Sequence, residues 1–477
     1  MAQDFDVIIV GGGGAGLSAA IEATEAGLRC MVLEADGKLG GATALSGGVV
    51  YAAGTQVQRE GGYTDDAESM FEYVMALNQW ALKPDIIRYI SDHSAEAIDW
   101  LAGIGVSFPP QALTISGVEK VPRGHPAEGA GLAIAEALIN RAGVVGVEYA
   151  LGTRVERLLV EDGRVTGVCA DGQELRAPVT VIATGGFGNS DAMRKRFFPS
   201  VAQHGSWVWA VHDDAPFILG DGLTMGEAIG AGLTGHDTGL PLPTSGFGKH
   251  IEAFLPPWTM IVNEEGRRFM PEIASYTICG YLINEQTNAH AWAIFDEPTL
   301  IEASNDGSYL DPYGTGMTTP IWEEPNIRKQ VENGRIMTAD TLEELAAQTG
   351  VDPLSLAETV RQYNADIDDG RGDTQFQKKA KKLFPVRSAP FYAVEVRAAI
   401  IGGTGAGLDI DSACHVLDTH GKPIPGLLAA GETTGVTQGK RYAGGGFSLG
   451  PAIVLGRRAG QEAVSLIRAN GPAPANA

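Results

Sequence analysis

The sequence predicts an α/β protein in which a parallel sheet wound with helices is interrupted by a second domain of α+β character. Three observations predict it. The first is an apolar, β-branched run, VIIV at Val7 to Val10, followed by four glycines and AGLSAAIEATEAG, which reads as strand, tight turn and helix. The second is the continuation LRCMVLEADGKLGG, where Leu28 to Leu33 form another buried run ending in Glu34. Parallel strands need a crossover of this length, so the start of the chain is one βαβ unit. The third is a change of texture between roughly 238 and 394, after which strand and turn patterns resume.

A chain of 477 residues with 44% hydrophobic and 19% charged side chains can bury cores for two or more domains. Its 58 acidic against 35 basic residues give a formal charge of -23, which argues against a nucleic-acid or anionic-membrane partner. Cys30, Cys169, Cys279 and Cys414 lie far apart without a CxxC pair, so neither a disulfide framework nor a zinc site is expected, and buried thiols in a reducing cytoplasm are. MAQDFD runs into the first strand without a basic flank and cleavage site, so no secretion signal is read. No apolar stretch is long enough for a transmembrane segment.

Gly11, Gly13 and Gly16 set the pattern GxGxxG between a strand and a helix. It supplies a tight turn, a close approach for pyrophosphate and close helix-strand packing, with the helix N-terminus attracting the phosphate; Gly14 and Ala15 share that turn. Glu34 stands where an acid accepts hydrogen bonds from a ribose. These features predict a Rossmann-like, dinucleotide-binding domain, and the glycine pattern alone does not choose NAD or FAD. The segment GGATALSGG favours FAD, because small residues and hydroxyls soon after the ribose acid suit a chain following the dinucleotide toward a flavin; Gly41, Ala42, Thr43, Ser46, Gly47 and Gly48 are its candidates.

Further on, alternating residues around the turn pairs Asp162-Gly163 and Asp171-Gly172 predict a small antiparallel hairpin unit. The strand Val179 to Ala183 returns to the nucleotide-binding sheet, and Thr184 and Gly185 end it where backbone approach matters. GDGLTMGEAIGAG begins a helix with Asp221 near its start. In the inserted stretch, NEEGRRF is a hairpin-like turn, and two surface helices follow, capped by Asp340, with Glu343 completing a capping box, and by Asp352 with Pro353 in the first turn. The run KKAKK, Lys378 to Lys382, reads as a solvated face. GPAIVLGRRAGQEAVSLI supplies a final helix, and NGPAPANA a disordered tail.

VIIVGGGGAGLSAAIEA, GGATALSGG, VIATGG, GDGLTMGEAIGAG, NEEGRRF, IPGLLAAGETTG and the glycine run of RYAGGGFSLG together resemble the flavoprotein superfamily of fumarate reductases and 3-ketosteroid dehydrogenases, from Val7 to Gly460. The resemblance implies a Rossmann-like FAD-binding domain, here residues 1 to 237 and 395 to 477, with an inserted α+β cap domain, 238 to 394, presenting substrate. It adds Gly431, Glu432, Ser448 and Leu449 to the cofactor residues.

The two branches demand different residues. The fumarate-reducing branch carries arginine in segments resembling NEITTR and NRLGGN. Here they read PEIASY and RYAGGG, which places Tyr276 at the first position and Tyr442 at the second, or Arg441 if the register moves by one. The family's histidine before paired glycines is also missing, since EVRAAIIGG ends in Ala399, Ile400, Ile401, Gly402 and Gly403. The 1,2-desaturating ketosteroid dehydrogenases carry a YxGxG-like pattern, which Tyr442, Gly444 and Gly446 match; a second tyrosine, the base, is matched by Tyr276. The 4,5-desaturating type has a serine two residues after its tyrosine, and Gly444 offers none.

The chemistry gives its own reason for these residue types. Desaturation next to a ketone takes a proton alpha to the carbonyl and a hydride from the beta carbon, and negative charge grows on the carbonyl oxygen, where rigid donors lower the barrier most. The expected roles are Tyr442 hydroxyl and Gly446 N-H on that oxygen and Tyr276 as base, with a phenol's ordinary pKa of about 10 requiring a lowered value or a relay. The substrate expected is a 3-ketosteroid, with a smaller cyclic ketone and an enoate or enone reductase as alternatives, and a flavin-binding module without turnover as a third class. Electrons would pass to an external acceptor such as a quinone or a redox protein. Phe108, Trp207, Trp209, Trp258, Tyr281 and Tyr392 are candidates to line an apolar slot, Arg123 and His125 occupy a loop resembling the segment near the flavin, and His250 is expected to be exposed.

Overall fold

Strand Val7–Val10 lies between Cys30–Leu33 and Val179–Ile182, parallel to both and in register from end to end. All four of its side chains are buried, which is why it reads as an unbroken apolar run rather than an alternating one. In this computed structural model, residues 4–213, 215–252, 254–304, 307 and 321–470 are described; the expected tail from 471 onward lies outside them. The chain divides into two units, one of Met1–Pro199, His212–Leu240 and Gly403–Ala477, the other of Ser200–Val211 and Pro241–Gly402.

The first unit is built on a six-stranded sheet that takes strands from both chain ends: His415–Leu417, Pro423–Ala429, Val179–Ile182, Val7–Val10, Cys30–Leu33 and Glu148–Ala150, in that spatial order. The C-terminal helix Leu449–Asn470 packs on the first helix, Gly14–Glu25, and glycines set the distance. A Cβ at Gly456 would overlap the Ala15 carbonyl, and one at Gly460 would crowd the Ala19 carbonyl. Arg457 locks the contact through Glu22 at 2.6 Å. The hairpin unit forms as three antiparallel strands, Val155–Glu161, Arg164–Ala170 and Gln173–Arg176. Both connecting Asp-Gly pairs adopt positive φ at each residue, as a two-residue hairpin turn requires.

In the second unit, strands Met260–Val262, His290–Asp296 and Phe391–Thr404 pair in that order. Alternation assigns their side chains to two cores: Ala291, Ala293 and Phe295 join one cluster, Trp292 and Ile294 the other. The turn at NEEGRRF forms, with Val262 bridging to Arg268. Asp352 caps helix Pro353–Asp368 through the Ser355 N-H at 2.7 Å. The preceding helix, Leu342–Thr349, starts later than the sequence suggested. Thr341, not Asp340, is its cap, and Thr341 accepts the Glu344 N-H, so the capping box expected with Glu343 does not form. Both residues suit a cap by type, and only the backbone decides between neighbours.

KKAKK also departs from expectation. Lys379, Lys381 and Lys382 are exposed, but the Lys378 side chain is 1% exposed and its ammonium lies 3.0 Å from Glu272. Arg268 completes the cluster, paired bidentately with Glu272 and with Asp373 at 2.8 to 2.9 Å. Two cations and two anions thus cancel with every group hydrogen-bonded, the condition under which buried charge is tolerated. Burial raises the Asp373 carboxyl, but Arg268 outweighs it and brings it down to about 2. Lys378→Met, which leaves one carboxylate uncompensated, is expected to destabilise the protein by about 3–5 kcal/mol, whereas Lys379→Met stays within about 0.5 kcal/mol; urea denaturation midpoints check both.

His290 donates from both ring nitrogens, to Glu395 at 2.9 Å and Glu264 at 2.6 Å, which requires the imidazolium. Glu395 raises its pKa first, and Glu264 adds to it against the opposing effect of burial. Because the folded-state value lies above the unfolded one, the stabilisation is complete below the ordinary histidine pKa of about 6.5 and is lost as pH rises through the raised value. His290→Gln is expected to lose less stability than the wild type between pH 6 and 8.5, read from denaturation midpoints at the two ends; parallel slopes would refute the pairing.

Candidate active site

The three motif glycines do three different things. Gly11 has φ +108°, and a Cβ there would overlap the Ala183 carbonyl oxygen. At Gly16 a Cβ would overlap the Gly11 oxygen, so this glycine lets the helix touch the turn. Gly13, at φ -80°, has nothing within 4 Å of where a Cβ would stand. It borders open space in front of the helix N-terminus, where backbone N-H groups and the helix dipole favour an anion. Glu34 is buried and accepts N-H bonds from Gly12 at 2.6 Å and Asp36 at 2.8 Å. A carboxylate has about four lone-pair sites, so acceptor capacity remains for ribose hydroxyls.

The second segment stacks on this turn. Gly40 bridges to Gly13, the Gly14 N-H donates to Thr43 Oγ1 at 3.1 Å, and Gly41 lies against the Gly13 backbone. Ser46 Oγ donates to the Thr43 carbonyl and accepts the Gly48 N-H. Ala42 and Gly47 are half-buried beside them. Ala183 receives its place from Val10, and Thr184 Oγ1 accepts the Gly222 N-H while lying 3.3 Å from Thr433 Oγ1; Gly185 turns the chain at φ +74°. Gly431, at φ +80°, sits against Ala15. Two side chains are already committed: Asp221 to Arg154 at 2.7 Å, and the Glu432 carboxyl to the Thr404 N-H and hydroxyl, where burial pushes its pKa up. Open space at Gly13, the donor-rich helix end and the spare capacity of Glu34 fit the pyrophosphate and ribose of a dinucleotide.

The loop Tyr442 to Gly446 belongs to the same unit and is fixed along its length. Tyr73 donates to the Ala443 carbonyl at 2.7 Å, Ser116 accepts the Gly445 N-H, and the Gly446 carbonyl accepts from Tyr51 and Gly450. Gly446 has φ +95°, and a Cβ there would come within 2.6 Å of the Val49 carbonyl. The loop therefore needs glycine for backbone approach on the protein side as well. Tyr442, 5% exposed, accepts the Ser448 N-H at 3.0 Å and lies 3.2 Å from Ser448 Oγ, just before helix Leu449–Asn470. Beneath the loop, Glu119 Oε2 lies 3.1 Å from the Tyr73 hydroxyl, Glu119 Oε1 accepts the Ser116 N-H, and burial raises the carboxyl's pKa.

Arg123 and His125 support this layer. Arg123 pairs bidentately with Asp65 at 2.7 and 2.8 Å, both buried, so its charge is spent. His125 bonds Thr55 and the Arg123 carbonyl, and burial pushes its pKa down to about 4, leaving a neutral ring. Tyr51, Tyr73, Ser116, Glu119 and Gln438 were not singled out from sequence. Tyr73 and Ser116 meet the loop more than 300 positions further along the chain, Gln438 meets Ser448 ten positions on, and no local pattern marks any of the five.

In the second unit Tyr276 is the first residue of helix Tyr276–Asn284, which Ser275 caps. It is 8% exposed and meets Phe254 edge to face at 5.3 Å between centroids. The segment leading to it is anchored by Glu272 in the buried charge cluster. Glu252 is a further buried acid of this unit. It accepts from Thr244, Ser245 and Trp322, and burial raises its pKa to about 7. The aromatics divide: Trp258 and Tyr392 are core residues, Trp207 stacks under Arg397, and Phe108 packs against His125. His250 is exposed, and all four cysteines are buried and free. Among the described residues, no cluster of metal-ligating side chains occurs and no helix is long and apolar enough to cross a membrane.

A glycine turn opening onto a helix end, an acid at the close of the second strand and a second glycine segment stacked on the first define a dinucleotide-binding site. The chain belongs to the FAD binding domain family, whose model matches residues 6–449, and its cofactor is FAD. It is 30% identical to the fumarate reductase (cytochrome) of Shewanella frigidimarina, over 98% of this chain and 78% of that one. It is 28% identical to the 4-oxocyclohexanecarboxylate 2-dehydrogenase of Sinomonas cyclohexanicum, over 96% and 92%. The 3-ketosteroid-Δ4-(5α)-dehydrogenase structure from Rhodococcus jostii RHA1 matches with a TM-score of 0.78 at 28% identity, over 97% and 98%. The protein is an FAD-dependent dehydrogenase or reductase acting on carbon-carbon bonds.

The glycine geometry separates cofactor binding from folding. Gly13→Ala is expected to keep the wild-type unfolding midpoint within about 0.5 kcal/mol yet lose at least tenfold in FAD affinity, measured by titrating the apoprotein. Gly11→Ala, which clashes with Ala183, is expected to cost roughly 2–4 kcal/mol of stability.

Proposed function

We propose that this enzyme desaturates a ketone between its alpha and beta carbons, with 1,2-desaturation of a 3-ketosteroid as the reaction. Relatives of both reaction types are about equally similar to this chain, so the choice rests on residues. The observation that carries it is the phenol of Tyr442, held by the Ser448 N-H in a loop that also contains the positive-φ Gly446. A phenol and a backbone N-H are neutral donors. They suit one developing negative charge on a carbonyl oxygen better than two full carboxylates, for which charge-assisted arginine pairs are the stronger partner.

In this reading Tyr442 Oη and the Gly446 N-H hold the ketone oxygen. As the alpha proton leaves, charge moves onto that oxygen, and donors already fixed in place stabilise it without reorganising. Tyr276 takes the alpha proton. A phenol is a weak base near neutrality, so its proton must pass onward during turnover. Bound FAD supplies the acceptor for the beta hydride. Reduced enzyme then passes its electrons to an external acceptor of quinone or redox-protein type.

The second reading is reduction of an enoate or enone, favoured by the 30% identity to a fumarate reductase and by Arg441 beside Tyr442. A single-ring ketone is the size variant of the first, favoured by the 4-oxocyclohexanecarboxylate dehydrogenase. Anaerobic flavin bleaching with 4-androstene-3,17-dione, progesterone, cyclohexanone and 4-oxocyclohexanecarboxylate separates these. The expected outcome is bleaching with a product two mass units lighter, in which Tyr442→Phe and Tyr276→Phe each lower the rate by roughly two orders of magnitude or more. Reoxidation of reduced enzyme by fumarate or an enone, with no ketone bleaching, would replace this reading with the second.

A further inference from the structure

We propose that Glu119 is a positioning residue for this reaction: held as the neutral acid, it donates to Tyr73 Oη and so leaves the Tyr73 hydrogen to the Ala443 carbonyl, which fixes the loop Tyr442 to Gly446. The inference rests on the assignment of that loop to the ketone.

Tyr73 Oη has one hydrogen to give and two sites at which to accept. It lies 2.7 Å from the Ala443 carbonyl and 3.1 Å from Glu119 Oε2, and the Val118 N-H donates to it at 3.2 Å. The shorter contact has the ordinary length of an O-H···O bond, so the Tyr73 hydrogen goes to Ala443. The longer one exceeds the roughly 2.5–2.7 Å of a hydroxyl bound to a carboxylate. With Glu119 protonated, its hydrogen fills the second acceptor site of Tyr73 and every one of these contacts is a hydrogen bond. With Glu119 ionised, either the Tyr73 hydrogen turns to the carboxylate and Ala443 loses its partner, or an anion faces the lone pairs of Tyr73.

Glu119 is 7% exposed, and among the described residues no ion pair reaches it. The groups that face it are neutral or already neutralised. Tyr73 comes from helix Ala67–Leu77 and Tyr51 from strand Val49–Tyr51, and burial raises the pKa of both phenols. Arg123, 5.4 Å from the centre of the Tyr73 ring, is paired with Asp65. The loop presents Ala443 and Gly444, which do not titrate, and a Cβ at Gly444 would stand 3.1 Å from Glu119 Oε1. Burial raises the Glu119 pKa against the backbone N-H groups of its own turn. The neutral acid, and the tie to Ala443 that it permits, therefore persist below the raised value and are lost as pH rises through it.

Glu119→Gln tests this, because its amide donates to Tyr73 at every pH while keeping an oxygen for the Ser116 N-H. Flavin bleaching is followed from about pH 5 to pH 9 with FAD-loaded enzyme and the ketone the wild type oxidises best. The ratio of the Glu119→Gln rate to the wild-type rate is expected to rise by roughly ten- to a hundredfold across that range, the scale on which small misplacements of catalytic groups act. In a Tyr73→Phe background, where the tie to Ala443 is cut at every pH, the same ratio is expected to stay constant within about twofold; such non-additivity marks residues acting through one another. A constant ratio in the first background, or an equal rise in both, overturns the inference.

A substrate-free readout uses glutamate labelled with 13C at Cδ, the Glu119 resonance being identified by its loss in Glu119→Gln. It is expected at the neutral-acid position at about pH 5, where a glutamate of ordinary pKa near 4.3 is mostly ionised; an ionised Glu119 at that pH overturns the inference. Wild-type ketone oxidation by Tyr442→Phe removes the assignment of the loop and this inference with it. Loss of activity in Tyr442→Phe, with wild type and Glu119→Gln following the same pH profile, overturns this inference alone.

Discussion

The closeness of helix Gly14–Glu25 to its neighbours is the constraint on which the first unit depends. Its N-terminal turn touches Gly11 through Gly16, and its outer face meets Gly456 and Gly460 of the C-terminal helix, with no room for a methyl group at these glycines. That contact brings the last helix, and therefore the loop Tyr442 to Gly446 just before it, onto the unit that carries the dinucleotide turn. Conformational freedom is lost at each glycine on folding. The arrangement leaves the helix end open at Gly13 while the backbone on either side is packed.

Charge is treated differently in the two kinds of site. Buried arginines and lysine are neutralised by carboxylates: Arg123 by Asp65, Arg268 and Lys378 by Glu272 and Asp373. The loop at Tyr442 is organised instead by neutral groups, namely hydroxyls, backbone amides and the amide of Gln438. A neutral donor set is suited to charge that appears only during reaction, because it does not need a permanent counter-ion in the ground state. This contrast is the physical reason the ketone reading is favoured over the dicarboxylate one, although family membership accommodates either.

Much of the first unit was legible locally. The βαβ start, the two Asp-Gly hairpin turns and the helix at Asp221 each follow from a short pattern whose residues contact their sequence neighbours. Errors fell where two residues of equal aptitude compete or where a distant partner decides. Asp340 and Thr341 are both good caps, and the chain path selects Thr341. KKAKK has the composition of a solvated face, yet Lys378 is drawn inside by Glu272, a carboxylate 106 positions earlier. Trp258 and Tyr392 have the size and polarity of pocket residues and are used as core.

The sequence by itself determined the dinucleotide turn, the acid that follows it and the tyrosine-glycine run, because turn geometry and helix-end chemistry depend on residues a few positions apart. Tertiary structure alone decided what holds that run: Tyr73 on the Ala443 carbonyl and Ser116 on the Gly445 N-H. Hydrogen bonds between side chains and distant backbone have no periodicity to read, since any polar residue of the right reach can make them. Their partners are specified only when the packed elements bring donor and acceptor within about 3 Å.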